Sequence, residues 1–382
     1  MRNPAESLRQ ISADGLLRKL RTIEAPGMRI AREGRELWNF ASNDYLGLAG
    51  HPAVAEALIE GVQQFGAGAT ASRLVSGSHS PHLQLEEDIA AAKHAEAALA
   101  FSSGFAAAMG AIPAIVGKGD TIVLDKLCHA SLVDAARLSG ATIRVFPHNR
   151  VEKLRQLLES IRKKDAASHI LVVTESVFSM DGDLCPLAEI LDLTEQFDAD
   201  LFLDEAHAVG VLGETGMGLA DDAAFRKRVA FQMGTLSKSV GLSGGYIAAS
   251  REWIDLFINR ARSFIYSTAP PPTIAHAARR SLEIIRSSEG DTLRSALRFN
   301  ISLLDPQQTT PIVPVICGSN ASAIDASGRM EDNGFLIPAI RWPTVPRGSA
   351  RLRASLSAAH PADVVRELRT RLDEMFYKTQ SP

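Results

Sequence analysis

Lys238 lies in the run Thr235-Leu236-Ser237-Lys238, framed by small hydroxyl residues and followed by Gly241-Leu242-Ser243-Gly244-Gly245. An amine in such a setting has room to hold an aldehyde as a Schiff base. One structural unit upstream is Leu203-Asp204-Glu205-Ala206-His207. Asp204 closes an apolar run and is suited to keep a ring nitrogen protonated. His207, three residues on, would come near a ring oxygen. An aldehyde on a protonated ring points to pyridoxal 5'-phosphate (PLP). That cofactor needs an amine, a counter-charge, a phosphate cradle and a face against the ring. Ser102-Ser103-Gly104-Phe105 follows an apolar run and opens a helix. Free N–H groups and the dipole at a helix start receive phosphate. Gly104 and Phe105 are therefore cradle candidates, and the hydroxyls of Thr235 and Ser237 can serve the same phosphate. Thr268 is a further candidate, reaching across a dimer interface. His129, after Asp125-Lys126-Leu127-Cys128, can lie flat against the ring.

Each of these residues also has an ordinary reading. Most lysines are solvated surface groups. An aspartate at a strand end often caps the next helix. A single histidine is more often a helix-start or core residue than a ligand, and many strand-to-helix loops look like Ser102–Phe105. Other patterns carry less. Gly66-Ala67-Gly68-Ala69 follows a helical stretch, so it is no dinucleotide fingerprint. His79 and His82 have a metal-like spacing without a third ligand, and no metal is expected. Arg347, Arg351 and Arg353 are too few, in a chain of net charge −3, to indicate nucleic acid. They read as a substrate-anion site or a solvated face.

The elements that must position these residues follow from hydrophobic pattern. Ala97–Phe101, 121–124, 143–146, 170–174 and 201–203 are short apolar runs between helical segments. That alternation implies a mostly parallel α/β sheet covered on both faces. In such sheets the ligand crevice lies at the carboxyl ends of the strands, where the candidate residues fall. Leu8, Ile11, Leu16, Leu17 and Leu20 suggest one or two amphipathic helices over residues 5–23, followed by a short strand and turn at Trp38–Gly47. A break is expected at Ala269-Pro270-Pro271-Pro272, with a helix from Ile274 onward. Beyond about residue 285, strands such as Ile312–Ile316 and a last helix carrying Val364, Val365, Leu368, Leu372 and Phe376 read as a smaller α+β domain. With 382 residues, the chain is long enough for two domains. Three widely spaced cysteines, with no signal-peptide pattern and no long apolar run, imply a cytoplasmic protein that does not enter membranes.

Together the motifs resemble the α-oxoamine synthases, a group of fold-type I PLP enzymes. The likeness covers nearly the whole length. It runs through Asn43-Asp44-Tyr45-Leu46-Gly47-Leu48, Ser72-Arg73-Leu74-Val75-Ser76-Gly77-Ser78-His79, Ser103-Gly104-Phe105-Ala106-Ala107, His129-Ala130-Ser131, Thr174–Asp183, Asp204-Glu205-Ala206-His207 and Thr235–Lys238. Pro343-Thr344-Val345-Pro346, then Ala350-Arg351-Leu352-Arg353, is more similar to members acting in biotin biosynthesis than to glycine-using relatives. Ala108, where relatives often have asparagine, and Gly68-Ala69-Thr70-Ala71-Ser72, in place of a more Gly/Ser-rich loop, depart from the pattern.

The resemblance implies a seven-stranded PLP-binding domain over 49–283, a small C-terminal domain over 284–382 and a leading segment over 1–48. It implies Lys238 as Schiff-base lysine and proton shuttle, and Asp204 on the ring nitrogen. His207 and Ser179 would contact the ring oxygen, and His129 would stack on the ring and touch substrate. Gly104, Phe105 and Thr235 would hold the phosphate. Arg353 would receive the amino-acid carboxylate, with Asn43, Ser355 and Arg18 as further substrate contacts. The implied reaction is condensation of L-alanine with a pimeloyl thioester, on coenzyme A or a carrier protein, by a homodimer with its active site at the subunit interface. The alternatives are the same chemistry on glycine and acetyl-CoA, a PLP-binding regulator, and an α/β binding protein without PLP.

Overall fold

The computed structural model describes residues 3–24 and 27–376. A hairpin of β1 (Arg29–Arg32) and β2 (Arg35–Asn39) leads in. The main sheet is built from β3 (Ala97–Phe101), β4 (Thr121–Asp125), β5 (Thr142–Phe146), β6 (Ile170–Glu175), β7 (Asp200–Asp204), β8 (Phe231–Thr235) and β9 (Gly245–Ala249). Their spatial order is β3-β9-β8-β7-β6-β4-β5, and β9 runs antiparallel to both of its neighbours while the others are parallel.

Alternation along the central strands shows why they form a two-sided sheet. Leu171 and Val173 of β6 pack with Phe202 and with the helix Gly104–Ile115 on one face. Ile170 and Val172 pack with Leu201, Leu203 and the helix Leu187–Gln196 on the other. A strand buried on both sides must be apolar throughout, as these are. The outermost strand β5 is the exception. It exposes Thr142, Arg144 and Val145, and an edge that carries charge resists pairing with other chains.

The helix after the proline run starts at Pro272 and ends at Ile285, so the expected boundary at 283 falls in its last turn. A second sheet follows, of β10 (Ile312–Gly318), β12 (Ala339–Ile340) and β13 (Ala350–Ser355), while β11 (Phe335–Leu336) joins β2. The last helix, Ala362–Phe376, buries Val364, Val365, Leu368 and Leu372 as its spacing requires. One apolar cluster runs from Phe40 and Tyr45 through the 272–285 helix to β13, so the second sheet is packed against the body that carries the first.

The N-terminal expectation is only half met. A single helix forms, Pro4–Ala13, and it buries none of its residues. Leu16, Leu17 and Leu20 lie beyond it in irregular chain, with Leu20 fully exposed. Asn3 and Pro4 start the short helix, and Gly15, with φ of +66°, follows its end, so the leucines beyond are not carried on it. Among the described residues no helix is long and apolar enough to cross a membrane.

Candidate active site

The carboxyl ends of β4, β6, β7 and β8 surround a cavity of about 210 Å³. Gly104, Phe105, His129, Asp204, His207, Thr235, Ser237 and Lys238 all line it. A larger hollow of about 550 Å³ around the Arg73–Glu86 ion pair is lined by no lysine or histidine. Chemistry rather than size marks the site.

Lys238 sits in the loop between β8 and β9. The loop is closed by bonds from Leu236 N–H to the Gly244 carbonyl at 3.0 Å and from Gly241 N–H to the Lys238 carbonyl at 2.8 Å. Gly241 has φ of +77°, and a Cβ there would stand 2.4 Å from the Ala49 nitrogen, so no other residue makes this turn. Burial pushes the Lys238 amine below its ordinary pKa, against the opposing pull of Asp204 and Glu175. A lysine held that way reaches its neutral, basic form more readily.

Asp204 is the last residue of β7 and is buried. One of its oxygens accepts the Ala206 N–H at 2.8 Å, so it braces the following turn, but no α-helix starts there for it to cap. Burial raises its pKa, and Lys238 pulls it back. Such an acid favours a cationic partner in the cavity it lines.

At the edge of the cavity the hydroxyl of Ser103 accepts the Ala106 N–H at 3.0 Å and starts the helix Gly104–Ile115. Thr235 Oγ1 donates to the Gly244 carbonyl at 2.9 Å and lies 2.7 Å from Ser237 Oγ. A Cβ on Gly245 would fall 2.4 Å from the Gly104 nitrogen, so glycine lets β9 start against the helix end. A helix start beside two hydroxyls, an amine and a buried acid is a donor set that fits PLP.

His129 caps the helix Ala130–Ser139, accepting the Ser131 N–H at 3.3 Å. Burial lowers its pKa, with Asp204 opposing. His207 is driven well below its usual pKa by burial and then by Lys238 and Arg353. Its Nδ1 lies 2.6 Å from Tyr45 Oη.

Asn43, Ser179, Arg353 and Ser355 form a second, adjoining group. Arg353, buried on β13, donates from Nη1 to Asn43 Oδ1 at 3.2 Å and to Ser355 Oγ at 2.7 Å, and from Nε to the Ser179 carbonyl. Ser179 also borders a separate hollow of about 320 Å³ that is lined by Met180, Val345 and Pro346. Arg18 and Thr268 are not brought to these walls. Arg18 is exposed past the first helix, and Thr268 is exposed and bridges to Ser72. The His79–His82 pair closes a helix cap, with His82 Nε2 also 2.9 Å from the Pro270 carbonyl. Among the described residues no group could hold a metal.

Two residues at the site carry no role in the sequence reading. Glu175 ends β6, in register with Asp204, and its carboxylate accepts the His129 N–H. Burial and the Asp204 charge hold its pKa well above the carboxylate range. Tyr45, fully buried, bridges His207 and Asn43.

The loops carrying His129 and Ser179 are tied together by His148. Its Nδ1 lies 3.0 Å from Asp125 and its Nε2 2.7 Å from Asp183. Burial disfavours the charge on His148, but the two carboxylates outweigh it and raise the pKa to about 10. A raised folded pKa stabilises below the unfolded value near 6.5 and loses that contribution as pH climbs to about 10. His148→Gln is therefore expected to lower the melting temperature at pH 6 and to differ far less from the parent at pH 10. An equal deficit at both pH values in thermal melts would refute the charged bridge.

A family model described as aminotransferase class I and II matches residues 35–372. The 8-amino-7-oxononanoate synthase of Geobacter sulfurreducens is 45% identical over 370 residues, covering 94% of each chain. Among solved structures, SPT with PLP superposes with a TM-score of 0.90 at 26% identity, covering 98% of this chain and 99% of that one. The 8-amino-7-oxononanoate synthase of Francisella tularensis superposes with a TM-score of 0.76 at 27% identity, covering 90% and 99%. By fold, by motif and by full-length identity, the chain belongs to the 8-amino-7-oxononanoate synthases of the class I and II aminotransferase family.

Proposed function

We propose that this PLP enzyme condenses L-alanine with a pimeloyl thioester, carried on coenzyme A or on a carrier protein, to give 8-amino-7-oxononanoate, CO2 and the free thiol. The observation that carries the reading is the convergence of Lys238, Asp204, His129 and His207 in one cavity, with a buried guanidinium, Arg353, linked to it through Asn43 and Tyr45. When bound, PLP supplies the electron sink for negative charge at the amino-acid Cα.

The chain's own residues do the rest. Arg353, whose Nε and Nη1 are held by Ser179, Asn43 and Ser355, offers Nη2 to the alanine carboxylate, which fixes the amino acid's orientation. Ser355 and Asn43 hold that guanidinium in place. Lys238, whose amine burial shifts toward its neutral form, removes the Cα proton. The Cα then forms a bond to the thioester carbonyl carbon and the thiolate departs. The former alanine carboxylate leaves as CO2, and the proton returned to Cα completes the balance. Asp204 keeps a counter-charge on the ring nitrogen, while His129 stacks on the ring and touches substrate. His207 and Ser179 serve the ring oxygen. Gly104, Phe105, Thr235 and Ser237 hold the phosphate. In this reading residues 49–283 form the cofactor-binding domain, 284–382 the small domain and 1–48 the leading segment. A second copy completes the site in a cytoplasmic homodimer. Thr268 reaches across the interface, and Arg18 is a further substrate contact.

The test is a product assay by mass spectrometry with alanine, glycine and serine, each against short-chain and dicarboxylic acyl-CoAs. Alanine with pimeloyl-CoA is expected to dominate. A preference for glycine with acetyl-CoA would overturn the substrate assignment and leave the family unchanged.

A further inference from the structure

Tyr45 owns one hydroxyl proton and has two acceptors for it. Its oxygen lies 2.6 Å from His207 Nδ1 and 3.1 Å from Asn43 Oδ1. If the proton goes to Asn43, His207 must carry its own proton on Nδ1 and shows a bare Nε2 to the cavity. If it goes to His207, the imidazole proton sits on Nε2 and becomes a donor. Asn43 Oδ1 already accepts from the Arg353 guanidinium at 3.2 Å. His207 Nδ1 has no other donor, and the bond to it is the shorter. Both arguments send the Tyr45 proton to His207. Burial above all, and the Arg353 guanidinium in the same direction, disfavour a charge on the imidazole, so it keeps one N–H. Its Nε2 makes no hydrogen bond among the described residues, while the ring lines the cavity shared with Asp204, Glu175 and Lys238.

We propose that Tyr45 is a positioning residue that fixes His207 in its Nε2–H tautomer, so that a neutral hydrogen-bond donor faces the ring oxygen of the cofactor. This rests on the PLP reading above. A donor at the ring oxygen draws on negative charge that otherwise holds a proton on the neighbouring lysine nitrogen. Loss of the donor therefore strengthens that proton's hold.

Two measurements test the proposal. In the 15N-histidine-labelled protein, NMR is expected to show His207 as the Nε2–H tautomer; an Nδ1–H signal would overturn the assignment. In Tyr45→Phe, the pKa read from the visible absorbance of the bound cofactor is expected to rise by about half to one unit, a roughly three- to tenfold gain in proton affinity. An unchanged pKa in a folded, cofactor-loaded variant would also overturn it. Absence of any visible band in the parent protein would instead fail the PLP reading. The NMR measurement needs neither the cofactor nor the variant, so it decides the tautomer even then.

Discussion

Lys238→Ala is expected to cut formation of 8-amino-7-oxononanoate by about 10⁴-fold or more while the protein stays folded. The lysine is assigned two jobs, anchoring the cofactor and moving the Cα proton, and loss of a positioned general base alone costs about 10²–10⁴. The fold should survive because the amine makes no hydrogen bond or ion pair among the described residues and its burial opposes its charge. Removing it relieves that cost and leaves Asp204 without its nearest stabilising cation. Thermal melting should therefore change little, and added small primary amines should restore part of the proton transfer. Full activity in a verified Lys238→Ala preparation would refute the assignment.

Asp204→Asn is the second large effect. Asparagine keeps the shape and can still accept the Ala206 N–H, so the turn after β7 should hold. What goes is the negative charge proposed to face the ring nitrogen. Removing one preorganised electrostatic partner from a closed site typically costs about 10²–10³ in rate. Exchange of the alanine Cα hydrogen in deuterated buffer, followed by NMR without any acyl donor, isolates that step. It should slow by about this factor while the alanine concentration giving half-maximal exchange moves little, since Arg353 is untouched. Near-normal exchange would remove Asp204 from the pyridinium role.

Much of this architecture is legible along the chain. Ala97–Phe101, Ile170–Glu175 and Asp200–Asp204 announce themselves because a strand buried on both faces has no polar alternate positions to blur it. β8 and β9 are harder to see. Gln232 and Gly234 interrupt one, Gly245 opens the other, and their burial comes from neighbours far away in sequence. The N-terminal leucines mislead for the opposite reason, being periodic where the fold supplies nothing to cover them.

The site divides similarly. Lys238, Asp204 and His129 stand out because their side-chain chemistry is unusual at the ends of apolar strands. Tyr45 and Glu175 do not. Tyr45 matters through His207, 162 residues away, and Glu175 through a backbone N–H that no sequence pattern marks. Roles that arise from hydrogen-bond geometry become visible only when the strands are in register.

The central claim is a covalent bond between PLP and one lysine. Reduction of the holoenzyme with borohydride, digestion and peptide mapping by mass spectrometry tests it directly. The phosphopyridoxyl mass should appear on the peptide containing Lys238. Finding it on another lysine, or on none in a protein that shows the visible cofactor band, would contradict the account.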